Sequence, residues 1–173
     1  MPNPLRPPLR RLLAWAGQRY AAQIMGFVRR GLTEGEHNRL IDEEAAYRAR
    51  FLAALDAGRF DAIVCPPSGL PALRHGSFNG SVAASYTYLY NLLGLPAGVV
   101  AATRVRPGEE GGRGWSWDPV VRTARAVEAG SAGLPVGVQV VARPWREDVA
   151  LAVMAALEGH FERQPDYPSS PPL

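Results

Sequence analysis

Hydroxyl side chains are the first candidates for chemistry in this chain of 173 residues. A serine becomes a nucleophile only when a base accepts its proton and N–H groups stabilise the oxyanion that forms. Ser81, Ser85 and Ser131 are available, but none lies in a glycine-rich loop, and the sequence contains no lysine. The segment 111–114 supplies glycines without a serine. The sequence therefore predicts no catalytic residue within this chain.

Thiol and imidazole side chains offer no stronger candidate. Cys65 is the sole cysteine, which excludes an internal disulfide and suits a reducing compartment. His75 follows ten residues later, but proximity in sequence does not bring two side chains together in space. The spacing of the three histidines, His37, His75 and His160, is not that of metal ligands. We therefore expect neither a metal site nor a cofactor.

All 19 basic residues are arginines, and the formal net charge is +3. Arginine keeps its charge at any working pH, so none of these side chains can act as a neutral amine base. The arginines are scattered, and no recognised nucleic-acid-binding motif accompanies them. We therefore expect no nucleic-acid partner. A hydrophobic content of 47% with 20% charged residues is typical of a globular chain rather than a disordered one.

Residues 1–31 are predicted to form an amphipathic helical segment. Apolar side chains recur at spacings of three and four and so share a helix face: Leu9, Leu13, Ala16, Tyr20, Ile24 and Phe27. A face that carries Trp15 and Tyr20, flanked by Arg10 and Arg11, suits a helix lying in a membrane interface. The alternative is that this face packs on the rest of the protein or on a second subunit. The apolar run is too short for a signal-peptide core or a spanning helix.

Residues 32–163 are predicted to form one α/β unit, followed by a disordered Pro/Ser-rich tail at 164–173. Three short apolar runs read as buried strands, and helical patterns separate them. The strands are expected at 60–65, 98–103 and 136–142, and the helices near 34–57, 81–93, 119–129 and 147–161. Thr33 with Glu36 fits a capping box, Gly58 fits just past the end of that helix, and Asp118 before Pro119 fits an N-cap.

Two Gly-Leu-Pro turns carry a family resemblance. The first is Asn91-Leu92-Leu93-Gly94-Leu95-Pro96, and the second is Gly133-Leu134-Pro135-Val136-Gly137-Val138-Gln139. Together with Ser85-Tyr86-Thr87 and Pro144-Trp145, they resemble the C-terminal half of amidase-signature hydrolases, closest to the fatty-acid amide hydrolases. The resemblance covers roughly residues 5–162. It implies the C-terminal part of that fold, a buried mixed sheet covered by helices, with an N-terminal amphipathic helical cap.

The same resemblance implies hydrolysis of amide bonds, with fatty-acid or other lipid amides as substrates. In such amidases a serine nucleophile, a second serine and a neutral lysine carry the reaction, and they precede the half that this chain resembles. We therefore expect the isolated chain to be inactive. It would supply the wall of the acyl-chain channel and the membrane-facing cap. Its partner would be an N-terminal amidase half or further copies of the same chain in a homo-oligomer. The alternative hypothesis is a non-catalytic lipid- or subunit-binding module.

Individual residues are assigned by the same resemblance. Six would line the acyl-chain channel: Gln23, Phe27, Ser81, Ala84, Tyr88 and Trp145. Gln23 stands where an apolar residue is expected and Tyr88 is bulkier than the usual aliphatic, which favours a shorter or more polar acyl group. Four would face the membrane: Arg10, Arg11, Trp15 and Tyr20. The expected location is cytoplasmic, with peripheral attachment to a membrane as an option.

Overall fold

The computed structural model describes residues 6–18, 21–22, 31–76 and 83–169. Within them, helices and strands alternate along most of the chain, and the expected α/β class is confirmed. The elements in chain order are α1 (Arg6–Trp15), α2 (Glu34–Gly58), β1 (Ala62–Cys65), α3 (Ser85–Leu92), β2 (Ala97–Arg104), α4 (Pro119–Glu128), β3 (Pro135–Ala142) and α5 (Glu147–Phe161).

The three strands form one sheet in the order β1-β3-β2, and both pairings are antiparallel. Val140 on the central strand is paired with Val64 on one side and Gly98 on the other. The register of the β2–β3 pair shifts between Ala101 and Thr103. Both faces of β3 are covered at its C-terminal end, because Val140 and Val141 are almost inaccessible to solvent.

Helix α5 covers the face of the sheet that carries Val140. The helix begins and ends at the residues expected from the sequence, and Ala150 on it is buried. Gly98 allows its close approach, since a Cβ atom at Gly98 would collide with the thioether of Met154. This face is therefore closed by helix-on-sheet packing.

The opposite face packs against α2 and α3. Leu93, Leu95 and Val141 form the buried cluster. Partly buried apolar side chains surround it: Phe51 and Leu52 from α2, Ile63 from β1, and Leu89 and Tyr90 from α3. The outer strands are less protected, because Val64 and Val99 are each about half exposed.

Both expected N-terminal caps are present. The backbone N–H of Glu36 donates to the Thr33 hydroxyl at 3.2 Å, and the N–H of Thr33 donates to the Glu36 carboxylate at 2.9 Å. This reciprocal pair completes the capping box. Asp118 accepts a hydrogen bond from the N–H of Val120 at 2.9 Å, and Pro119 opens α4.

The C-terminus of α2 differs from the prediction by one residue. Gly58 is the last helical residue, and Arg59 adopts the left-handed conformation with φ of 52°. The reason is the packing of Phe60, whose ring occupies the space where a Cβ atom on Gly58 would lie. In this position the glycine has a helical backbone, and its missing side chain leaves room for the ring.

Strand β1 begins two residues later than the prediction. The carbonyl of Phe60 accepts hydrogen bonds from Nε and Nη2 of Arg143, at 3.0 and 2.8 Å, and not from the neighbouring strand. The same guanidinium contacts the carboxylate of Asp56. The Arg143 side chain thus ties the end of α2 to the end of β3 and leaves Ala62 as the first ladder residue.

Near the C-terminus, Asp166 accepts a hydrogen bond from Nε of Arg106 at 2.8 Å. This ion pair lies in the segment where a disordered tail is predicted. The division of the chain into segments 1–31, 32–163 and 164–173 stays a prediction. In the described ranges, no helix is both long and apolar enough to cross a bilayer.

Candidate channel wall and neighbouring grooves

Two of the expected channel residues lie at the start of α3. Ala84 directly precedes the helix and is half-buried, and its carbonyl accepts hydrogen bonds from the hydroxyl and the N–H of Thr87, at 2.8 and 3.0 Å. Tyr88 follows one turn later and is 55% exposed. Residues four apart share a helix face, so the structure brings Ala84 and Tyr88 to the same side of α3.

Trp145 lies in the turn between β3 and α5. Its backbone has φ of 62°, which is uncommon for a bulky residue. The N–H of Arg146 donates to the carbonyl of Arg143 at 3.1 Å and closes the turn around it. The indole is 87% exposed. The turn thus holds the Trp145 side chain at the surface of the described part of the chain.

Helix α1 presents apolar and basic side chains to solvent. Leu12 is 57% exposed and Trp15 is 86% exposed, and Arg10 and Arg11 are exposed beside them. The remaining expected site residues lie outside the described residues: Tyr20, Gln23, Phe27 and Ser81.

An apolar groove that the sequence analysis missed lies beside α3. It has a volume of about 450 Å³ and is lined by residues 66–73 and 135–137. The N–H of Gly69 donates to the carbonyl of Ala83 at 3.0 Å, and the Ser68 hydroxyl donates to the carbonyl of Leu70 at 2.8 Å. These bonds fix the proline-rich loop against the segment that leads into α3. In the sequence, the two prolines after β1 indicated this loop, because they end the strand and begin the loop.

A second missed feature combines aromatic and basic side chains. Trp115 and Trp117 contact each other edge to face, with ring centroids 4.5 Å apart and an interplanar angle of 79°. With Arg122 and Arg125 of α4 they line an open groove of about 560 Å³. The signals in the sequence were a Trp-Ser-Trp triplet and two arginines one helical turn apart.

Cys65 contacts side chains distant from it in sequence. Nε2 of Gln139 donates to its Sγ at 3.7 Å. Burial, followed by the hydrogen bond and the charge interaction with Cys65, raises the pKa of Tyr90 to about 12. Cys65 and Gln139 are directly paired in the β1–β3 register. The side chains of Cys65, Gln139 and Tyr90 therefore form a polar cluster where the sheet packs against α3.

Neither Ser85 nor Ser131 shows an activated hydroxyl in the described part of the chain. Ser131 is 1% exposed, and its Oγ has no hydrogen-bond partner. Ser85 is exposed on α3, and Ser81 lies outside the described residues. Within the same part, no group of three or more His, Cys, Asp or Glu side chains is placed to hold a metal ion.

Comparison with known proteins identifies relatives that are named as amide hydrolases. The chain is 37% identical over 117 residues to "Fatty acid amide hydrolase 1" of Caenorhabditis elegans, covering 65% of this chain and 20% of that protein. It is 36% identical over 162 residues to "Fatty-acid amide hydrolase 1" of Sus scrofa, covering 87% of this chain and 27% of that protein. The chain thus spans between a fifth and just over a quarter of the length of these relatives.

The family model described as Amidase matches residues 27–151, which is more than half of the chain. Both Gly-Leu-Pro turns, all of α2 and the strands β1 to β3 fall inside the matched range. This chain therefore belongs to the amidase family.

Proposed function

We propose that this chain supplies the C-terminal portion of an amidase that hydrolyses fatty-acid or other lipid amides. The observation that carries this proposal is the identity of 36% to a fatty-acid amide hydrolase over 87% of the chain. The exposed apolar surface around α3 adds support, because a lipid tail requires an apolar wall.

The channel wall is proposed to include Ala84 and Tyr88 on α3 and Trp145 in the turn before α5. The small side chain of Ala84 next to the half-exposed ring of Tyr88 leaves space bounded by an aromatic surface. Gln23, Phe27 and Ser81 complete the wall by family resemblance. The bulk of Tyr88 favours a shorter or more polar acyl group.

Residues 1–31 are proposed to act as a cap that lies peripherally on a cytoplasmic membrane surface. The support is the exposure of Leu12 and Trp15 beside Arg10 and Arg11 on α1. Apolar and basic side chains combined on one helix are typical of interfacial binding.

The chain alone is proposed to be inactive. It has no lysine, and the buried hydroxyl of Ser131 has no acceptor for its proton. The reacting groups would then come from an N-terminal amidase half or from another polypeptide.

Complementation tests this function. The chain is mixed with the catalytic portion of a fatty-acid amide hydrolase, and release of a fatty acid from a long-chain primary amide is measured. We expect no hydrolysis and no labelling by a fluorophosphonate serine probe with the chain alone, and hydrolysis with the mixture. Strong probe labelling of the pure chain at a serine would overturn the proposed inactivity.

The acyl-channel assignment is tested in the same mixture. Tyr88→Ala should shift the preference towards longer acyl chains, because it removes a ring from the proposed wall. Tyr47→Ala is the matched control, since Tyr47 is a comparably exposed tyrosine on α2. Equal chain-length profiles for the two variants would remove Tyr88 from the wall.

A second candidate function is a non-catalytic lipid- or subunit-binding module. The exposed apolar side of α1 and the two outer strands of the described sheet favour it, because each offers a surface for a partner. Binding to vesicles or self-association, together with failure of every complementation mixture, would select this function. A monomeric chain that restores hydrolysis would exclude it.

A further inference from the structure

An open groove next to α4 combines two exposed indoles with two arginines. Trp115 and Trp117 are 67% and 69% exposed, and Arg122 and Arg125 line the same groove of about 560 Å³. Exposed pairs of large aromatic side chains are costly in water and mark binding surfaces. Of the described residues assigned to the channel wall or to α1, none lines this groove.

The charge of the groove is not balanced by its surroundings. The carboxylates of residues 104–130 bond to other partners: Glu109 with Arg106, Glu110 with the N–H of Ala132, Asp118 with the N–H of Val120, and Glu128 with Arg113. In the part of the chain that the structure describes, no carboxylate forms an ion pair with Arg122 or Arg125. Residues three apart lie on one helix face, so the two guanidinium groups present positive charge to one side.

The pairing of these side chains indicates the class of ligand. A guanidinium offers a planar fork of donors that matches phosphate oxygens. An indole favours the boundary between apolar chains and polar headgroups, since it has an apolar body and one N–H donor. We propose that Trp115, Trp117, Arg122 and Arg125 bind the phosphate headgroup of an anionic phospholipid at a bilayer surface.

The position of the groove relative to α1 favours a bilayer over other phosphate sources. Nε2 of Gln18, three residues past the end of α1, donates to the carbonyl of Trp117 at 2.8 Å. The groove is therefore joined to the helix that exposes Leu12 and Trp15. The indoles meet edge to face, whereas successive nucleobases stack on open ring faces. The proposal extends the membrane-facing role proposed for α1 and uses the position of that helix, but the headgroup contacts are assigned to a separate set of side chains.

Co-sedimentation with vesicles tests the arginines. The wild-type chain should bind vesicles of equal parts phosphatidylcholine and phosphatidylglycerol more tightly than vesicles of phosphatidylcholine alone. R122Q/R125Q should weaken the binding about 25-fold, because each arginine removed near an anionic surface costs about fivefold. R50Q/R163Q removes the same charge from exposed sites on α2 and after α5, and it should bind nearly as the wild type does.

A third variant separates this proposal from the role of α1. R10Q/R11Q alters only the helix proposed as the membrane cap. If R122Q/R125Q binds like the R50Q/R163Q control while R10Q/R11Q loses binding, the groove proposal is overturned and the role of α1 stands. If R122Q/R125Q alone loses binding, the groove carries the interaction and the cap proposal fails.

Fluorescence tests the indoles. The chain has four tryptophans, so W15F/W145F leaves Trp115 and Trp117 as the reporters. Their emission should shift to the blue and be quenched by brominated phosphatidylcholine when phosphatidylglycerol is present. The proposal is overturned if neither change occurs, if inorganic phosphate alone produces the shift, or if a single-stranded oligonucleotide displaces the vesicles.

Discussion

The two Gly-Leu-Pro turns have nearly the same sequence but different surroundings. In the first, Leu93 and Leu95 flank Gly94 and are 1% and 8% exposed, at the centre of the core cluster, and Leu95 holds the position that Leu134 holds in the second. In the second, Leu134 is half-buried and Pro135 is exposed at the rim of the apolar groove. The motif thus encodes a turn, and its position in the fold decides whether the turn closes a core or borders a groove.

The backbone of the two turns is alike. Gly94 has φ of 60° and Gly133 has φ of 84°. The N–H of Leu95 donates to the carbonyl of Tyr90 at 3.0 Å and so ends α3. The N–H of Gly133 donates to the carbonyl of Val105 at 2.8 Å and so holds the second turn against the end of β2. Each turn directs the chain into the strand that follows it.

The largest expected difference between the turns is in packing. Leu95→Ala should lower the free energy of unfolding by about 2–5 kcal/mol, because it opens a cavity in the core. Leu134→Ala should cost about 1 kcal/mol, since its side chain is only half-buried. Urea denaturation at equal protein concentration measures both. Equal costs would contradict the contrast between a core turn and a rim turn.

A smaller and equal effect is expected from the two glycines. Gly94→Ala and Gly133→Ala should each lower the free energy of unfolding by about 1–2 kcal/mol, which is the cost of a left-handed backbone for a residue with Cβ. The added Cβ meets no atom closer than 4.0 Å at either position, so no clash enters. Gly159→Ala within α5 is the control and should stabilise by about 1 kcal/mol.

The polar contacts beside the first turn should make stability depend on pH. Tyr90 packs against the Leu93 cluster, and its pKa of about 12 exceeds the ordinary value near 10. The folded state therefore holds this proton more tightly. Its stabilising contribution is complete below pH 10 and is lost as the pH rises through about 12.

Titration of phenolate absorbance, compared with Tyr90→Phe, measures the pKa of Tyr90. Cys65→Ala should lower this pKa, because the hydrogen bond and the charge interaction with the thiol are lost. Burial is the larger cause and remains in the variant, so the pKa should stay above its ordinary value. An unchanged pKa would show that the thiol makes no contribution.

The smallest effect is expected at Arg59, which forms a left-handed turn without glycine. Arg59→Gly should stabilise the chain by about 0.5–1 kcal/mol, because the relief of strain exceeds the entropy that glycine loses. Thermal unfolding measures it, with Arg39→Gly in the exposed middle of α2 as a control that should destabilise by about 1 kcal/mol. A lower melting temperature for Arg59→Gly would show that the entropy lost by glycine exceeds the strain relieved.

Local signals predicted much of the fold. The Thr33–Glu36 capping box and the Asp118–Pro119 start are satisfied by residues within three positions of each other. The predicted bounds of α5 are also the observed ones, because an apolar pattern and a preceding turn define this helix. For the site, the family resemblance proposed Ala84 and Tyr88 as channel residues, but it did not show the apolar groove beside them. That groove needs residues 66–73 and 135–137 together.

The sequence by itself determined the family, the alternation of helices and strands, and the left-handed glycine turns, because these depend on neighbouring residues and on backbone sterics. Only the tertiary structure decided the β1-β3-β2 order, the burial of Leu95 but not of Leu134, and the meeting of Trp115, Trp117, Arg122 and Arg125 in one groove. These features depend on contacts between distant segments, and no local pattern records which segments will meet.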